Sequence, residues 1–150
     1  MTIFKSNIDS TKKQAEFKTI LENKTLKTGK TLSIMSTVNM TTNDKDFYGK
    51  YEKDALSITR IRRISILRLL PKLIIEFPEI EKNKKFNVKL GLFTFLLLII
   101  LCLALLSNTY ELLTTGTFAN DFITLLGFIG IFVGLIWIEF MVYKQKMNTY

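Results

Sequence analysis

The sequence predicts an all-α membrane protein: a two-pass transmembrane helical hairpin preceded by a basic amphipathic interfacial helix and a small, partly disordered N-terminal arm. Three observations lead there. Two apolar runs, residues 90–106 and 122–138, lie close together near the end of the 150-residue chain. Each, with its flanks, approaches the about 20 residues that cross a hydrocarbon core of roughly 30 Å. Nineteen Lys and Arg against ten Asp and Glu crowd residues 1–89, whereas the connector between the runs holds Glu111 and Asp121 and no base. Finally, apolar residues after Arg63 recur at the spacing of one helical face.

Residues 1–55 read as a polar arm. Asp9 or Ser10 can cap a short helix running to Lys24, in which Ala15, Phe17, Ile20 and Leu21 are the few apolar positions. Over residues 25–46 the composition shifts to Thr, Ser, Asn and Lys, with Leu32, Ile34, Val38 and Met40 alternating with polar residues over part of it. A short edge strand or an extended, disordered linker would both fit there, and the linker is the expectation. Gly29-Lys30-Thr31 fits the end of a phosphate-binding loop, but that motif needs glycine where Lys24 stands, so nucleotide binding of this kind is not supported. Phe47, Tyr48 and Tyr51 cluster beside Gly49 and Lys50, a group suited either to a headgroup interface or to packing on the next helix.

Residues 56–88 carry the expected amphipathic helix and a charged linker. Ile66, Leu67, Leu70, Leu73, Ile74 and Phe77 would share one face, with Arg62, Ser65, Arg68, Lys72 and Glu76 opposite. Arg63 is the one charge on the apolar side, placed to snorkel. Together with Arg60, the set Arg62, Arg63, Arg68 and Lys72 forms a membrane-surface basic group, each base contributing about 1 kcal/mol against anionic headgroups. The same face could instead pack on the N-terminal region or a partner subunit. No aromatic interleaving or recognition motif points to nucleic acid, and none is expected as a partner. Pro71 should kink this helix and Pro78 end it, leaving residues 79–87 as a linker into the first span.

The spans are expected at 89–110 and 122–143. Thirteen of seventeen residues in the first run are Leu, Ile or Phe, and twelve of seventeen in the second are Phe, Ile, Leu or Val. Such residues contribute about −0.3 to −0.6 kcal/mol each to insertion at a helix centre. The loop 111–121, with Thr114, Thr115, Gly116 and Thr117, is too short for a domain, and Asn120 and Asp121 are placed to cap the second span. Lys82, Lys84, Lys85 and Lys89 precede the hairpin and Lys144 and Lys146 follow it, so the positive-inside rule puts both termini in the cytoplasm, with the tail at 144–150. An inner or plasma membrane is expected, with the endoplasmic reticulum or mitochondrial inner membrane compatible. The first residues lack an apolar core of their own, so no cleavable secretory signal is expected and the first span should direct insertion. Asn23-Lys24-Thr25 and Asn39-Met40-Thr41 are glycosylation sequons on the inner side, expected to be unused.

Two features of the spans are candidates for function. Gly127, Gly130 and Gly134 fall along one stripe of the second helix, a helix-packing surface where backbones can approach closely. It would meet either the first span of the same chain or another protein. Glu139 is the single ionisable residue expected at membrane depth, and three roles stay open: reaching the headgroups, pairing with a basic residue, or lining a proton or cation path.

The composition excludes much chemistry. With no histidine, Ser-His-Asp and Cys-His catalysis, histidine-ligated haem and most zinc sites are removed. Cys102 is the one cysteine, so no intrachain disulfide can form. No cofactor or metal is expected. The sequence therefore points to a non-enzymatic accessory or assembly subunit of a membrane complex, with the bilayer and another membrane protein, or its own copies, as partners. A self-associating permeabilising hairpin of holin or toxin type, and an immunity or exclusion factor, are the alternatives.

Overall fold

Short strands, some alternating apolar with polar residues and one almost wholly apolar, fill most of the described chain before Gly91, and they build a sheet. The computed structural model describes residues 2–8, 14–34, 44–52, 55–63, 70–79, 85–116 and 120–150. Within them run β1 (Thr2–Asn7), α1 (Gln14–Asn23), β2 (Thr25–Lys27), β3 (Phe47–Glu52), β4 (Ala55–Arg60), β5 (Leu73–Phe77), β6 (Lys85–Leu90), α2 (Leu92–Thr115) and α3 (Asn120–Thr149). The strands form one sheet in the order β1-β6-β5-β4-β3-β2. β3 to β6 make an antiparallel meander, β1 joins antiparallel to β6 at one edge, and β2 lies parallel to β3 at the other. α1 connects the two outermost strands.

This is a mixed α/β fold, which corrects the all-α expectation and removes the interfacial helix. Leu73, Ile74 and Phe77, assigned above to its apolar face, lie in β5 instead. A central strand buried on both faces is a continuous apolar run, and over so short a stretch its spacing cannot be told from a helix. Two local features decide for the strand. Pro71 has no N–H to give a helix interior, and Ile74 and Ile75 are β-branched. Ile66, Leu67 and Arg68 of the supposed helix lie outside the described residues. The linker expected at 79–87 is likewise part strand, because Lys85, Asn87 and Lys89 alternate with Phe86, Val88 and Leu90 in β6. In the arm, β1, α1, β2 and β3 are ordered elements; the caps Asp9 and Ser10, the residues Val38 and Met40, and the second sequon lie outside the described residues.

Pairing register assigns the faces. Gly49 opposes Ile58, Ile58 opposes Ile75, and Ile75 opposes Val88, so these side-chain positions share one face. On that face Leu56, Ile58, Leu73, Ile75, Phe77, Phe86 and Val88 pack with Phe17 and Leu21 of α1 and with Phe140, Tyr143 and Met147 of α3. Fully burying a side chain of this size contributes about 1.5–3 kcal/mol. The other face carries a smaller cluster, Tyr48, Ile61 and Ile74 under Leu32. Gly49 allows β2 to come close: a Cβ there would stand 2.2 Å from Thr25 Cγ2, and Thr25 is itself buried and bonded through Oγ1 to the Leu21 carbonyl at 2.6 Å.

Two helices are long and apolar enough to cross a membrane, and most of their surface is uncovered by the rest of the chain. α2 begins one residue after β6 and ends at Gly116, which adopts the left-handed conformation (φ 66°) and donates its N–H to the Leu112 carbonyl at 3.0 Å. α3 is a single 30-residue helix that leaves the apolar hairpin and continues onto the sheet. Asn120 and Asp121 occupy its first turn, their side chains outside the description, as is Thr117 of the connector.

Candidate functional site

The junction between the sheet and α3 holds the most concentrated chemistry of the described chain. Register places Arg60 on the α3-facing side of β4, opposite Phe47 on β3. Helical periodicity then brings Glu139, Phe140, Tyr143 and Met147 onto the side of α3 that meets the sheet. Glu139 is fully buried and is gripped by a fork: Arg60 Nε donates to Oε1 at 3.1 Å and Arg60 Nη2 to Oε2 at 2.5 Å. Arg62 Nη2 stands 3.5 Å from Glu139 Oε1 and donates to the Pro71 carbonyl at 2.9 Å. Two-point recognition of a carboxylate fixes angle as well as distance. Arg60 and Arg62 are themselves nearly buried, so each charge is held by its partners rather than by water.

One turn further on, the Tyr143 hydroxyl donates to the Leu73 carbonyl at 2.9 Å, accepts the Arg60 N–H, and lies 3.3 Å from the Thr59 hydroxyl. Its ring stacks on Phe47 with centroids 6.0 Å apart. This hydroxyl satisfies backbone groups where β4 and β5 part company, since their pairing extends no further than Ile58 and Ile75. A second ionic group closes the end of the helix. Lys146 donates to Asp46 Oδ1 at 2.7 Å, Tyr150 donates to Asp46 Oδ2, and Arg63 lies 3.5 Å away. Burial alone would raise the Asp46 carboxyl, but the bonds from Lys146 and Tyr150 and the charges of Lys146 and Arg63 hold it below 3.8.

The residues singled out from sequence are thus divided between two places. Arg60, Arg62 and Glu139 converge in one buried cluster, and Arg63 belongs to the Asp46 group. Lys72 is half-buried with its aliphatic stem on Gly91, and Arg68 lies outside the described residues. Of the three roles considered for Glu139, the geometry shows the ion pair with basic residues. Gly127, Gly130 and Gly134 stay apart from this cluster, are exposed, and would each give a Cβ open space within 4 Å. Among the described residues no three acidic or cysteine side chains gather. Tyr143, Asp46, Lys146 and Tyr150 were not expected as site residues. Their signal was present: Phe140, Tyr143 and Met147 continue an apolar stripe past Glu139, marking a helix that packs on protein beyond the apolar run.

No family, curated protein or solved structure matches this chain.

Proposed function

We propose that the protein is a non-enzymatic two-pass membrane protein serving as an accessory or assembly subunit of a membrane complex, its sheet domain on the cytoplasmic side. The observation that carries this reading is the unequal coverage of the chain: the sheet domain fills its core with its own side chains, while the apolar hairpin is bare. Leu103, Leu106, Leu113, Ile123, Phe128 and Ile131 are each at least 60% exposed. Apolar surface on that scale is covered by lipid or by another protein. Gly127, Gly130 and Gly134 add an uncovered stripe on which a second helix could pack closely. β1 and the last turn of α3 belong to one sheet domain, which supports a shared side for the two ends. The basic excess of residues 1–89 favours the cytoplasm for that side.

Cross-linking in native membranes tests the proposal. Cys102 is exposed on α2, and a lipid-soluble thiol reagent should link it to a second, different polypeptide that also survives mild-detergent purification. Recovery of the chain as a lone monomer under both treatments overturns the reading, and recovery of homo-oligomers alone replaces it with self-association.

A further inference from the structure

The path of α3 across the sheet decides which edge faces the hairpin. Leaving the apolar run, α3 first lays Phe140 against Phe86 of β6, with ring centroids 6.4 Å apart. One turn on, the Tyr143 hydroxyl donates to the Leu73 carbonyl at the start of β5 and accepts the Arg60 N–H at the end of β4. Lys146 and Tyr150 then reach Asp46, the residue before β3. The helix thus crosses the strands from β6 to β3 as it moves away from the hairpin. β1, paired to β6 on the side opposite β5, is therefore the strand nearest the hairpin. A second observation agrees: Ile3 of β1 borders the same recess as Leu92, Phe95, Val133 and Trp137 of the two apolar helices.

We propose that the β1 edge of the sheet rests on the bilayer surface, where Lys5, Lys85 and Lys89 hold anionic lipid headgroups. The inference rests on the membrane placement of the preceding subsection and names the surface of the sheet domain that meets lipid. Depth supports it. Adjacent strands stand about 4.8 Å apart, so one step from β6 toward the hairpin equals about three residues of α3 and brings β1 level with Trp137. Trp137 is 60% exposed, and tryptophan collects at headgroup depth. Among the described residues β1 has a paired strand on one side only, so its other row of N–H and C=O groups needs polar partners. The hydrated headgroup layer supplies them and hydrocarbon does not.

Charge selects the headgroup. Register puts Thr2 opposite Lys89, Lys5 opposite Asn87 and Asn7 opposite Lys85. The three lysines therefore share the face that Phe86 and Val88, which point into the core with α1 and α3, leave to solvent. Neither β1 nor β6 holds a carboxylate. Lys5 and Lys85 are exposed, and Lys89 bridges Glu76 of β5 at 2.7 Å with 34% of its side chain exposed. Long stems let such ammonium groups reach sideways into a headgroup layer, and each lysine close to an anionic surface favours it about fivefold. Ile3, 42% exposed at the same edge, adds an apolar contact. Lysine on an edge strand also discourages pairing with a further protein strand, which favours lipid as the occupant.

The test uses the full-length protein in vesicles of equal parts phosphatidylglycerol and phosphatidylcholine, with a fluorophore on one cysteine and a quenching nitroxide on one lipid or the other. Label on the native Cys102 should be quenched by nitroxides deep in the acyl chains. In a Cys102→Ala background the label moves to Thr2→Cys on β1 or to Glu52→Cys on β3, four strands and roughly 19 Å further from the hairpin. Nitroxides near the lipid glycerol should quench the first and spare the second. At Thr2→Cys the phosphatidylglycerol-borne nitroxide should be favoured at least about fivefold, the ratio one lysine supplies. Lys5→Gln combined with Lys85→Gln should bring that preference back toward one. No quenching at Thr2→Cys, equal quenching at both positions, no preference between the lipids, or a preference that survives the lysine changes overturns the proposal, even where Cys102 upholds the membrane placement. A Thr2→Cys label shielded from lipid and aqueous quenchers alike overturns it in favour of a second copy on β1. Absence of quenching at Cys102 overturns the membrane placement itself, and this surface with it.

Discussion

Within α3, residues 122–138 turn bulky apolar side chains outward and leave three glycines uncovered, whereas residues 139–150 send Glu139, Phe140, Tyr143 and Met147 into the sheet domain. The backbone is one uninterrupted helix, so secondary structure does not distinguish the halves. What differs is the company each side chain keeps. The first half is apolar by composition and left bare by the rest of the chain; the second is held by specific bonds to the sheet.

The comparison can be broken most forcefully at Glu139. Glu139→Ala leaves Arg60 and Arg62 buried without their carboxylate, and the expected loss is about 3–5 kcal/mol in denaturant unfolding of the detergent-solubilised protein. A loss no larger than that of an exposed charge would mean α3 does not dock on the sheet through this residue. Gly49→Ala tests the sheet without touching α3. The added methyl meets Thr25 Cγ2, whose rotamer is fixed by its bond to Leu21, and about 1–3 kcal/mol of destabilisation is expected by the same assay.

Acid should weaken the far end of the helix next. The Asp46 carboxyl is held below its ordinary value in the fold, so its contribution is complete above the unfolded pKa and is lost as pH falls through the lower, folded one. Tail anchoring, read as protease resistance of residues 144–150, should therefore decline only below about pH 4. In Asp46→Asn that acid step should vanish, the tail being loosened already at neutral pH. The smallest effect sharpens the contrast from the other half: Gly130→Leu should alter unfolding of the isolated protein by no more than about 0.5 kcal/mol, because nothing lies against Gly130. The same variant should reduce co-purification of a partner helix from native membranes.

The two long apolar helices were legible because summed hydrophobicity is a property that composition reports without knowledge of neighbours. Of the four apolar positions of the short helix, Phe17 and Leu21 are fully buried in α1, Ile20 is partly buried and Ala15 is exposed. The sheet was harder. β6 displays clean period-two alternation from Lys85 to Leu90, yet its first residues read as charged linker and its last two, Lys89 and Leu90, as the start of the first span. β5 displays none, since Leu73, Ile74 and Ile75 are all buried, and an all-apolar run answers to a helix or a strand equally. The Glu139 cluster joins residues 79 positions apart in sequence. Carboxylates and guanidiniums carry no mark of their eventual partner, so only the pairing of β4 under α3 could reveal that the charges belong together.

Gly91 has a mechanical consequence. Its N–H extends the strand ladder to Lys72 while its carbonyl accepts the Phe95 N–H and opens the first turn of α2, so a single residue is rung and helix start at once. No slack separates α2 from the sheet. On the proposed membrane placement, a tilt of α2 that fits a thinner bilayer would swing β6 as a lever, turning lipid thickness into torque on the folded head.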